Sequence, residues 1–377
     1  MKRSIVTTVV FLILLGGLSV VNLFTPDREF SENENKYLAT FPEFSFQRLA
    51  SGAFTKGFED YITDQFVARD QFVAIKTATD LAMGKKDNGK VYFGKDGYLF
   101  QKTDKWSDSQ LTRNVSAVQM FTDALREKGC NAPVQILPVP SSGEILKDKL
   151  PDFLVLPDEG EVFDKLNSTL APGSVIDIRP SFLAAKDSEQ LYYRSDHHWT
   201  ADGAYVAYVA FCQAKGLEPY GKDQFTIETV SDSFLGTSHS KSLLPMTPDV
   251  MKRYVPNFTF TVSVSFDDDP GPYSSLYFDE ALKTKDKYVY YVDGNHGLTS
   301  VHTSAGNGKT LVLLKDSFGN SMLPLLCLHY ENIYMFDLRY TAEDVAQFAA
   351  DKQADDVLFL YGIDTFTTDL NLAKLMR

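Results

Sequence analysis

Short runs of consecutive apolar residues alternate with segments of helical periodicity in the later part of the chain. Five such runs predict strands, at 134–140, 174–178, 310–314, 332–336 and 356–361. The segments with helical spacing predict helices, at 107–128, 159–170, 200–216 and 341–352. Continuous apolar strands are typical of a parallel sheet whose two faces are both covered by helices. The pattern therefore predicts an α/β fold over 107–377, a three-layer α/β/α arrangement with a mainly parallel sheet.

The segment from about 217 to 305 departs from this rhythm. It is rich in Thr, Ser, Tyr and Asp, and residues 258–266 (FTFTVSVSF) alternate between apolar and polar types. Such alternation is typical of a strand with one buried face. We therefore expect an inserted β-rich segment with antiparallel strands, of the kind that often builds the wall of a binding site.

The N-terminal residues predict a membrane-spanning helix followed by a linker. Lys2 and Arg3 precede an uncharged run, 4–24, and about 20 apolar residues are enough to cross a bilayer. We assign residues 1–24 to a signal-anchor helix and the polar residues 25–45, which contain two prolines, to a linker. Basic residues before the run and acidic residues after it orient the rest of the chain outside the cytoplasm. A cleaved signal peptide, which would give a secreted protein, is the alternative, although the residues after the run form a poor cleavage site.

Residues 46–106 are predicted to form an extension that precedes the α/β domain. Apolar residues recur at helical spacing from Phe46 to about Ala82, which predicts one or two amphipathic helices. Residues 91–100 (VYFGKDGYLF) place β-formers on both sides of a Gly-Lys-Asp-Gly turn, which predicts a hairpin.

Charge and cysteine usage exclude two classes of protein. The formal net charge of −13 repels phosphate backbones, and no local basic stretch offsets it, so nucleic acid is not an expected partner. The three cysteines are far apart and form no Cys-x-x-Cys pair, which excludes a disulfide framework and a cysteine-based zinc site.

Residue types that can take part in catalysis are most concentrated at 195–200 (SDHHWT). Two of the six histidines and one of the two tryptophans fall in these six positions, next to an acid. Asp196 and His198 lie two positions apart and would point the same way in an extended segment. A carboxylate that orients an imidazole is the arrangement that a general base requires, and such a base can activate a serine.

A serine for this base follows the predicted strand 310–314. Ser317 lies in the turn Lys-Asp-Ser-Phe-Gly-Asn between that strand and an apolar helical segment. In parallel sheets, ligands bind at the carboxyl ends of the strands, and a helix N-terminus favours developing negative charge. Ser317 is therefore the candidate nucleophile; the alternative is that Asp316 or Ser317 only caps the helix.

Metal coordination is the rival interpretation of the two adjacent histidines. A zinc site would need further ligands from His239, His296 or His302, none of which has a recognisable spacing. A purely structural role for the two histidines also remains open. We predict no metal and no cofactor.

Two blocks together resemble the DHHW protein family, which is similar to the alginate O-acetylation proteins and, more distantly, to SGNH hydrolases. The blocks are SDHHWTADGAY, from Ser195, and LLKDSFGNS, from Leu313. Weaker supporting stretches are DGYLF at 96–100, FLGTSHSKS at 234–242, YVDGNHGL at 291–298 and DLRY at 337–340. The chain departs from ordinary SGNH esterases at Lys315, where Gly stands in their Gly-Asp-Ser, and it has no Asp-x-x-His after the serine.

The resemblance implies an SGNH-hydrolase-like domain with a triad of Asp196, His198 and Ser317. It implies acetyl transfer by Ser317 on a cell-surface or secreted polysaccharide, with a multi-spanning membrane acyltransferase as a possible acetyl-donating partner. The alternatives are a carbohydrate esterase that uses the same triad, a zinc hydrolase, and a non-catalytic polysaccharide-binding or assembly protein.

Further residues near these blocks are weaker candidates for substrate contacts. The backbone N–H of Ser317 is the first choice for stabilising an oxyanion. The other candidates for oxyanion or sugar contacts are Asn320, Asn295, Arg339, Arg194, Trp199 and His197. For both arginines the alternative is an ion pair with an acid, and for Trp199 it is a place in the core.

Overall fold

Strands predicted from apolar runs form the centre of the largest sheet in this computed structural model, which describes residues 2–33 and 36–376. Met1, Glu34, Asn35 and Arg377 lie outside the described residues, so the predicted anchor, linker and α/β domain are each described only in part. The strands are β1 (Phe30–Ser31), β2 (Lys36–Tyr37), β3 (Val91–Phe93), β4 (Leu99–Gln101), β5 (Val134–Val139), β6 (Phe225–Phe234), β7 (Asp249–Pro256), β8 (Val262–Phe266), β9 (Leu298–Thr303), β10 (Thr310–Lys315), β11 (Asn332–Phe336) and β12 (Asp356–Gly362).

The helices between the strands follow the predicted periodicity. They are α1 (Lys2–Phe24), α2 (Phe46–Ala50), α3 (Ala53–Gln65), α4 (Arg69–Ala82), α5 (Asp108–Glu127), α6 (Ser142–Ile145), α7 (Gly160–Thr169), α8 (Arg179–Ala185), α9 (Ala201–Lys215), α10 (Thr237–Ser242), α11 (Phe318–Leu326), α12 (Val345–Asp351) and α13 (Ile363–Thr368). Short 3₁₀ turns occupy Lys95–Gly97, Lys147–Lys149, Lys222–Gln224, Asp279–Lys283, Lys287–Tyr290 and Asn371–Met376.

The chain divides into two compact units. The smaller unit comprises Met1–Asn88 and His239–Pro245, and the larger comprises Gly89–Ser238 and Met246–Arg377. The hairpin β3–β4 therefore groups with the larger unit. The mixed helix and strand content of this unit confirms the predicted α/β class.

The smaller unit contains α1 and the helices that follow it. Within α1, Ile5–Phe24 is a 20-residue span with a mean hydropathy of 2.3 and none of its described side chains buried, so it is long and apolar enough to cross a membrane. The one or two helices expected next are three, α2, α3 and α4. The breaks fall where Gly52 and Ala68 adopt the left-handed backbone conformation, which interrupts a right-handed helix.

The largest sheet of the described residues has six strands in the order β5-β12-β10-β11-β9-β8. The first four are mutually parallel, whereas β9 pairs antiparallel with β11, and β8 antiparallel with β9. The predicted β-rich segment thus supplies both this antiparallel edge and a separate ribbon of β6 and β7. Within the edge, Val264 and Phe266 of the alternating run are buried, as their period of two requires.

Two hydrophobic clusters cover the two faces of this sheet. In β10, Leu311 and Leu313 belong to one cluster, while Val312 and Leu314 belong to the other, and all four side chains are fully buried. Successive side chains of a strand point to opposite faces, so burial on both faces leaves no polar position. This explains why the sequence of β10 contains a continuous run of apolar residues.

The predicted strand at 174–178 is wrong. The chain there makes only a single bridge, in which Ile136 bonds on both sides of Val175 with N···O distances of 2.7 and 2.8 Å. Beyond Ile176 the chain turns away, because the Asp177 carboxylate accepts the backbone N–H of Arg179 and begins the turn into α8.

Helix α9 begins and ends where the sequence predicts, which fixes the loop that precedes it. The Thr200 hydroxyl accepts the Gly203 N–H at 3.1 Å and donates to the Gln190 carbonyl at 2.5 Å. At the other end, Gly216 adopts the left-handed conformation that commonly closes a helix. Thr200 therefore joins the start of α9 to the chain entering the 195–199 loop.

Removing the Thr200 hydroxyl should destabilise the protein. We expect Thr200→Ala to lower the free energy of unfolding by about 1–2 kcal/mol, because an N-cap bond and a second hydrogen bond are lost. Thr200→Ser should restore most of this loss. Urea denaturation followed by tryptophan fluorescence measures both, and equal midpoints for Thr200→Ala and the wild type would contradict this role.

Candidate active site

The strand-to-helix turn after β10 presents Ser317 with its hydroxyl turned away from the helix end. Asp316 takes the capping role, because its carboxylate accepts the backbone N–H groups of Phe318 at 3.0 Å and Gly362 at 2.8 Å. Ser317 makes no side-chain cap bond and is only partly buried. Its Oγ lies instead 2.6 Å from Nε2 of His198.

Asp196 and His198 form the other side of this contact. Oδ1 of Asp196 lies 2.6 Å from Nδ1 of His198 and 2.9 Å from the backbone N of the same residue. The proximity thus comes from a local turn in which the carboxylate reaches its own chain two residues on, and not from the extended segment that we predicted. The structure brings Asp196, His198 and Ser317 into one hydrogen-bonded chain.

The second oxygen of Asp196 is held by the segment after β6. Oδ2 accepts the backbone N–H of Thr237 at 2.6 Å and its hydroxyl at 2.9 Å. Position 236 has to be glycine, because a Cβ there would lie 2.2 Å from Asp196 Oδ2. These contacts fix the plane of a carboxylate that is 1% exposed.

The charge state of Asp196 follows from its surroundings. Burial alone would raise the pKa of this carboxyl, but the neighbouring His198 and His197 and the hydrogen bonds from His198 and Thr237 hold its pKa far below the usual range. An ionised carboxylate accepts hydrogen bonds only, so Nδ1 of His198 carries its proton. Nε2 of a neutral His198 is then the acceptor for the Ser317 hydroxyl.

Tyr288 forms a wall of the site that the sequence analysis missed. Its ring stacks on the His198 ring at 3.8 Å with an interplanar angle of 6°. Its hydroxyl lies 3.0 Å from Oγ of Ser321, which also accepts the indole N–H of Trp199 at 2.7 Å. A tyrosine 90 positions away from His198 carries no spacing signal that could have pointed to this contact.

Trp199 and His197 flank His198 in the sequence but differ in burial. The Trp199 side chain is fully buried, with its ring 5.3 Å from that of Phe318, so the alternative of a place in the core is confirmed and stacking on a sugar is excluded. His197 is partly exposed, its ring lies 3.8 Å from the His198 ring, and its Nδ1 lies 2.8 Å from Oγ1 of Thr237.

The two candidate arginines differ in how firmly the protein holds them. Arg339 binds the buried carboxylate of Asp337 through two nitrogens, at 2.8 and 2.5 Å. The Arg194 guanidinium lies 5.7 Å from the ring centroid of Tyr98 in the hairpin region. For Arg339 the alternative of an ion pair with an acid is therefore confirmed, while the sugar contact of Arg194 stays a prediction.

Asn320 and Asn295 hold a buried lysine and a loop. The Asn320 amide donates to the Gly294 carbonyl at 2.8 Å, and Oδ1 of Asn295 accepts from Lys315 at 2.7 Å. Burial lowers the pKa of Lys315 to about 8, although its 3.2 Å contact with Asp337 acts in the opposite direction. The Asn320 amide donates to Gly294 and to Oδ1 of Asn295, so the oxyanion role predicted for Asn320 is not supported, while that of Asn295 stays a prediction.

The backbone N–H of Ser317 remains as an oxyanion donor. Among the residues that the structure describes, it donates to no protein acceptor. It also lies at the N-terminal end of the nine-residue helix α11, where the backbone dipoles favour negative charge.

A groove of about 630 Å³, counting space open to solvent, adjoins the triad. His197 and Phe318 form its side nearest the reacting groups, and Ser141, Asp364 and Thr365 lie along it. These residues follow the carboxyl ends of β5, β10 and β12, or precede α9. The groove therefore lies where parallel sheets place their ligands.

Two groups of described residues bring three potential metal ligands together, each within 4.8 Å. One is Asp196, His197 and His198, in which the closest atoms of Asp196 and His198 already share a hydrogen bond. The other is Asp267, Asp268 and His296, in which His296 bonds Asp268 at 2.6 Å. His239 and His302, considered above as zinc ligands, belong to neither group.

Glu159 is a second buried acid beside the groove that sequence reasoning missed. It is 5% exposed, and both its carboxyl oxygens lie 3.2 Å from the backbone N of Ser141. Burial raises the pKa of Glu159 from 4.5 to about 8. The folded state therefore holds this proton in a pH range where the unfolded state has lost it.

Glu159 should make the folded protein less stable as the pH rises. The stability that the protonated Glu159 contributes is fully present below about pH 4.5 and is lost as the pH approaches 8. The reason is that ionisation of this carboxyl is less favourable in the folded state than in the unfolded state. We expect Glu159→Gln to flatten this decline, as measured by the urea midpoint at several pH values. Parallel pH profiles for the variant and the wild type would contradict the assignment.

The middle of the chain matches a known protein family. Residues 163–336 match the family model described as DHHW protein. The probable alginate O-acetylase AlgJ of Pseudomonas syringae pv. tomato is 24% identical over 179 residues, and AlgJ of Pseudomonas putida is 24% identical over 183 residues. Each alignment covers 45% of this chain, and the chain spans 45% and 46% of these two relatives.

Solved structures share the fold over a longer range. A DHHW family protein from Eubacterium siraeum superposes with a TM-score of 0.62 at 22% identity, over 76% of this chain and 97% of its own. Bacillus cereus PatB1 with a sulfonyl adduct gives a TM-score of 0.63 at 20% identity, over 76% and 99%. The matched region confirms the resemblance seen in the motifs: residues 163–336 of this chain are similar to the DHHW protein family.

Proposed function

We propose that this chain is a serine-dependent O-acetyltransferase that acts on a polysaccharide outside the cytoplasm. The observation that carries the proposal is the continuous hydrogen-bonded chain from Asp196 through His198 to Ser317, with both side-chain contacts at 2.6 Å. Those distances lie within the range that nucleophile activation requires. The relatives named probable alginate O-acetylase support acetyl transfer as the reaction.

In the first half-reaction, Ser317 takes the acetyl group from a donor ester. Oγ attacks the acetyl carbonyl while Nε2 of His198 removes the hydroxyl proton, and Asp196 stabilises the imidazolium that forms. The tetrahedral oxyanion would receive the Ser317 N–H at the start of α11. Collapse of this intermediate breaks the bond to the donor oxygen, which leaves with the proton from His198, and acetyl-Ser317 remains.

In the second half-reaction, a sugar hydroxyl accepts the acetyl group. His198 removes the proton of that hydroxyl, its oxygen attacks the acetyl carbonyl, and Ser317 leaves with the proton returned by His198. Water in place of the sugar would give an esterase with the same residues. The relatives' names favour the transferase, and an acceptor-dependent product distinguishes the two.

The fold and location form part of the same proposal. We assign residues 107–377 to a three-layer, SGNH-hydrolase-like α/β/α domain with its insertion at about 217–305, and 46–106 to an N-terminal extension whose hairpin groups with the larger unit. The apolar span Ile5–Phe24 would anchor the protein, or be cleaved as a signal, so that the site works outside the cytoplasm. A membrane-spanning acyltransferase would then be a suitable acetyl donor.

Removing either reacting group should abolish acetyl transfer. With an activated acetyl ester and an oligosaccharide acceptor, we expect Ser317→Ala and His198→Gln to lower kcat/KM by at least about 10³-fold, because the nucleophile or its base is lost. Liquid chromatography of the acetylated acceptor measures the rate. Ser233→Ala and His302→Gln, at exposed positions outside the site, are the matched controls.

Two outcomes would contradict this prediction. Full activity of Ser317→Ala would show that another group carries the chemistry. Acceptor binding with no acetyl transfer by the wild-type protein, from any activated ester, would favour a non-catalytic polysaccharide-binding protein.

Adding one methyl group at Gly236 should damage catalysis through Asp196. A Cβ there overlaps the carboxylate, so Gly236→Ala must displace Asp196 from His198. We expect kcat to fall by about 10²–10⁴-fold with KM little changed, since orientation of the base is lost and not substrate contact. Steady-state kinetics measures the split, and Ser233→Ala on the same segment is the control; an unchanged kcat would exclude this positioning role.

A further inference from the structure

The groove beside the triad contains no lysine or arginine among the described residues that line it. Its polar lining consists of hydroxyls, one amide, one imidazole and one acid, namely Thr103, Ser141, Ser142, Thr365, Gln101, His197 and Asp364. A site built for a carboxylated sugar needs a cation, and arginine is the side chain that matches a carboxylate with two parallel hydrogen bonds. The hydroxyl and amide groups of this lining can instead form hydrogen bonds with the hydroxyl groups of a sugar.

Further acids surround the reacting groups. Asp286 is largely buried, and burial together with the charge of Asp196 raises its pKa. Asp316 lies directly before the nucleophile at 2% exposure. A bound polyanion would meet the Asp364 carboxylate in the lining of the groove and the field of the ionised Asp196 behind His198, and like charges in a partly dry cleft repel strongly.

Two cations at the carboxyl ends of β10 and β11 are committed to other partners. Lys315 is fully buried and contacts Asp337 and Asn295, and Arg339 is held by the same Asp337 through two nitrogens. Since Asp337 is 1% exposed and both cations contact it, releasing either one toward a substrate would remove a counter-ion from a buried carboxylate. Neither Lys315 nor Arg339 is therefore available to bind a substrate carboxylate in the groove.

We propose that the acceptor groove selects sugar units without a carboxylate and discriminates against uronates. The inference rests on the proposed function and gives its substrate class, and it sets this chain apart from relatives that are named for alginate. Selection arises from the acidic surroundings of Ser317 and from the lack of a lysine or arginine among the described lining residues.

The first experiment compares two acetyl esters that differ in the charge of the leaving group. 4-Nitrophenyl acetate and 3-carboxy-4-nitrophenyl acetate are each reacted with the full-length protein in detergent, and each rate is divided by that of hydroxide hydrolysis. We expect the neutral ester to acylate Ser317 at least about tenfold faster, a difference of about 1.4 kcal/mol. Added salt should narrow the ratio by screening the acids.

The second experiment uses acceptors that share one backbone. Oligogalacturonate and its full methyl ester compete for acetyl transfer, and mass spectrometry quantifies the acetylated products. We expect the methyl ester to be acetylated in preference. Equal transfer to both, or preference for the free acid, would overturn the proposal.

A charge variant in the groove assigns the effect to its residues. Asp364→Asn should reduce the neutral-to-anionic ratio several-fold by removing one negative charge from the groove. Asp351→Asn, at an exposed position on α12, is the matched control and should leave the ratio unchanged. The same ratio in wild type and Asp364→Asn would contradict an electrostatic role for Asp364.

The two proposals fail in different ways. If Ser317→Ala reacts with both esters as fast as the wild type, the proposed function is wrong. If reaction requires Ser317 but the anionic ester or the free oligogalacturonate is used as well as its neutral counterpart, only the selectivity inference is wrong.

Discussion

The site depends on one buried carboxylate whose two oxygens are both held. Oδ1 of Asp196 binds the backbone and ring nitrogens of His198, and Oδ2 binds the backbone and hydroxyl of Thr237. Together these four contacts favour the ionised carboxylate and fix the tautomer of His198, which leaves Nε2 facing the Ser317 hydroxyl. The fold is arranged around this geometry: β10 delivers the serine, and the start of α9 fixes the histidine.

Several features of this arrangement were predictable because they are local. Asp196, His198 and Ser317 lie in loops at element boundaries, and apolar runs marked β10 and β12 because their strands are buried on both faces. Features that depend on contacts between residues far apart in the sequence were not predictable. Tyr288 stacks on His198 from 90 positions away, and Gly236 matters only because Asp196 passes within 2.2 Å of a Cβ placed there.

The errors have the same physical origin. Arg339 and Trp199 have the chemistry of sugar-binding residues, but the structure commits one to a buried carboxylate and places the other in the core. The apolar residues at 174–178 resemble a strand, yet only Val175 finds a partner, across from Ile136. Residue type alone specifies what a side chain can do, while burial and pairing determine whether it remains available.

The most direct measurement is the site of acetylation after brief exposure to an activated acetyl ester. The protein is quenched with acid, and peptide mapping by mass spectrometry locates the acetyl group. The account predicts a single acetyl group on Ser317 that disappears when an acceptor sugar is added, and that does not form in His198→Gln. Acetylation at other residues only, or equal labelling of His198→Gln, would contradict it.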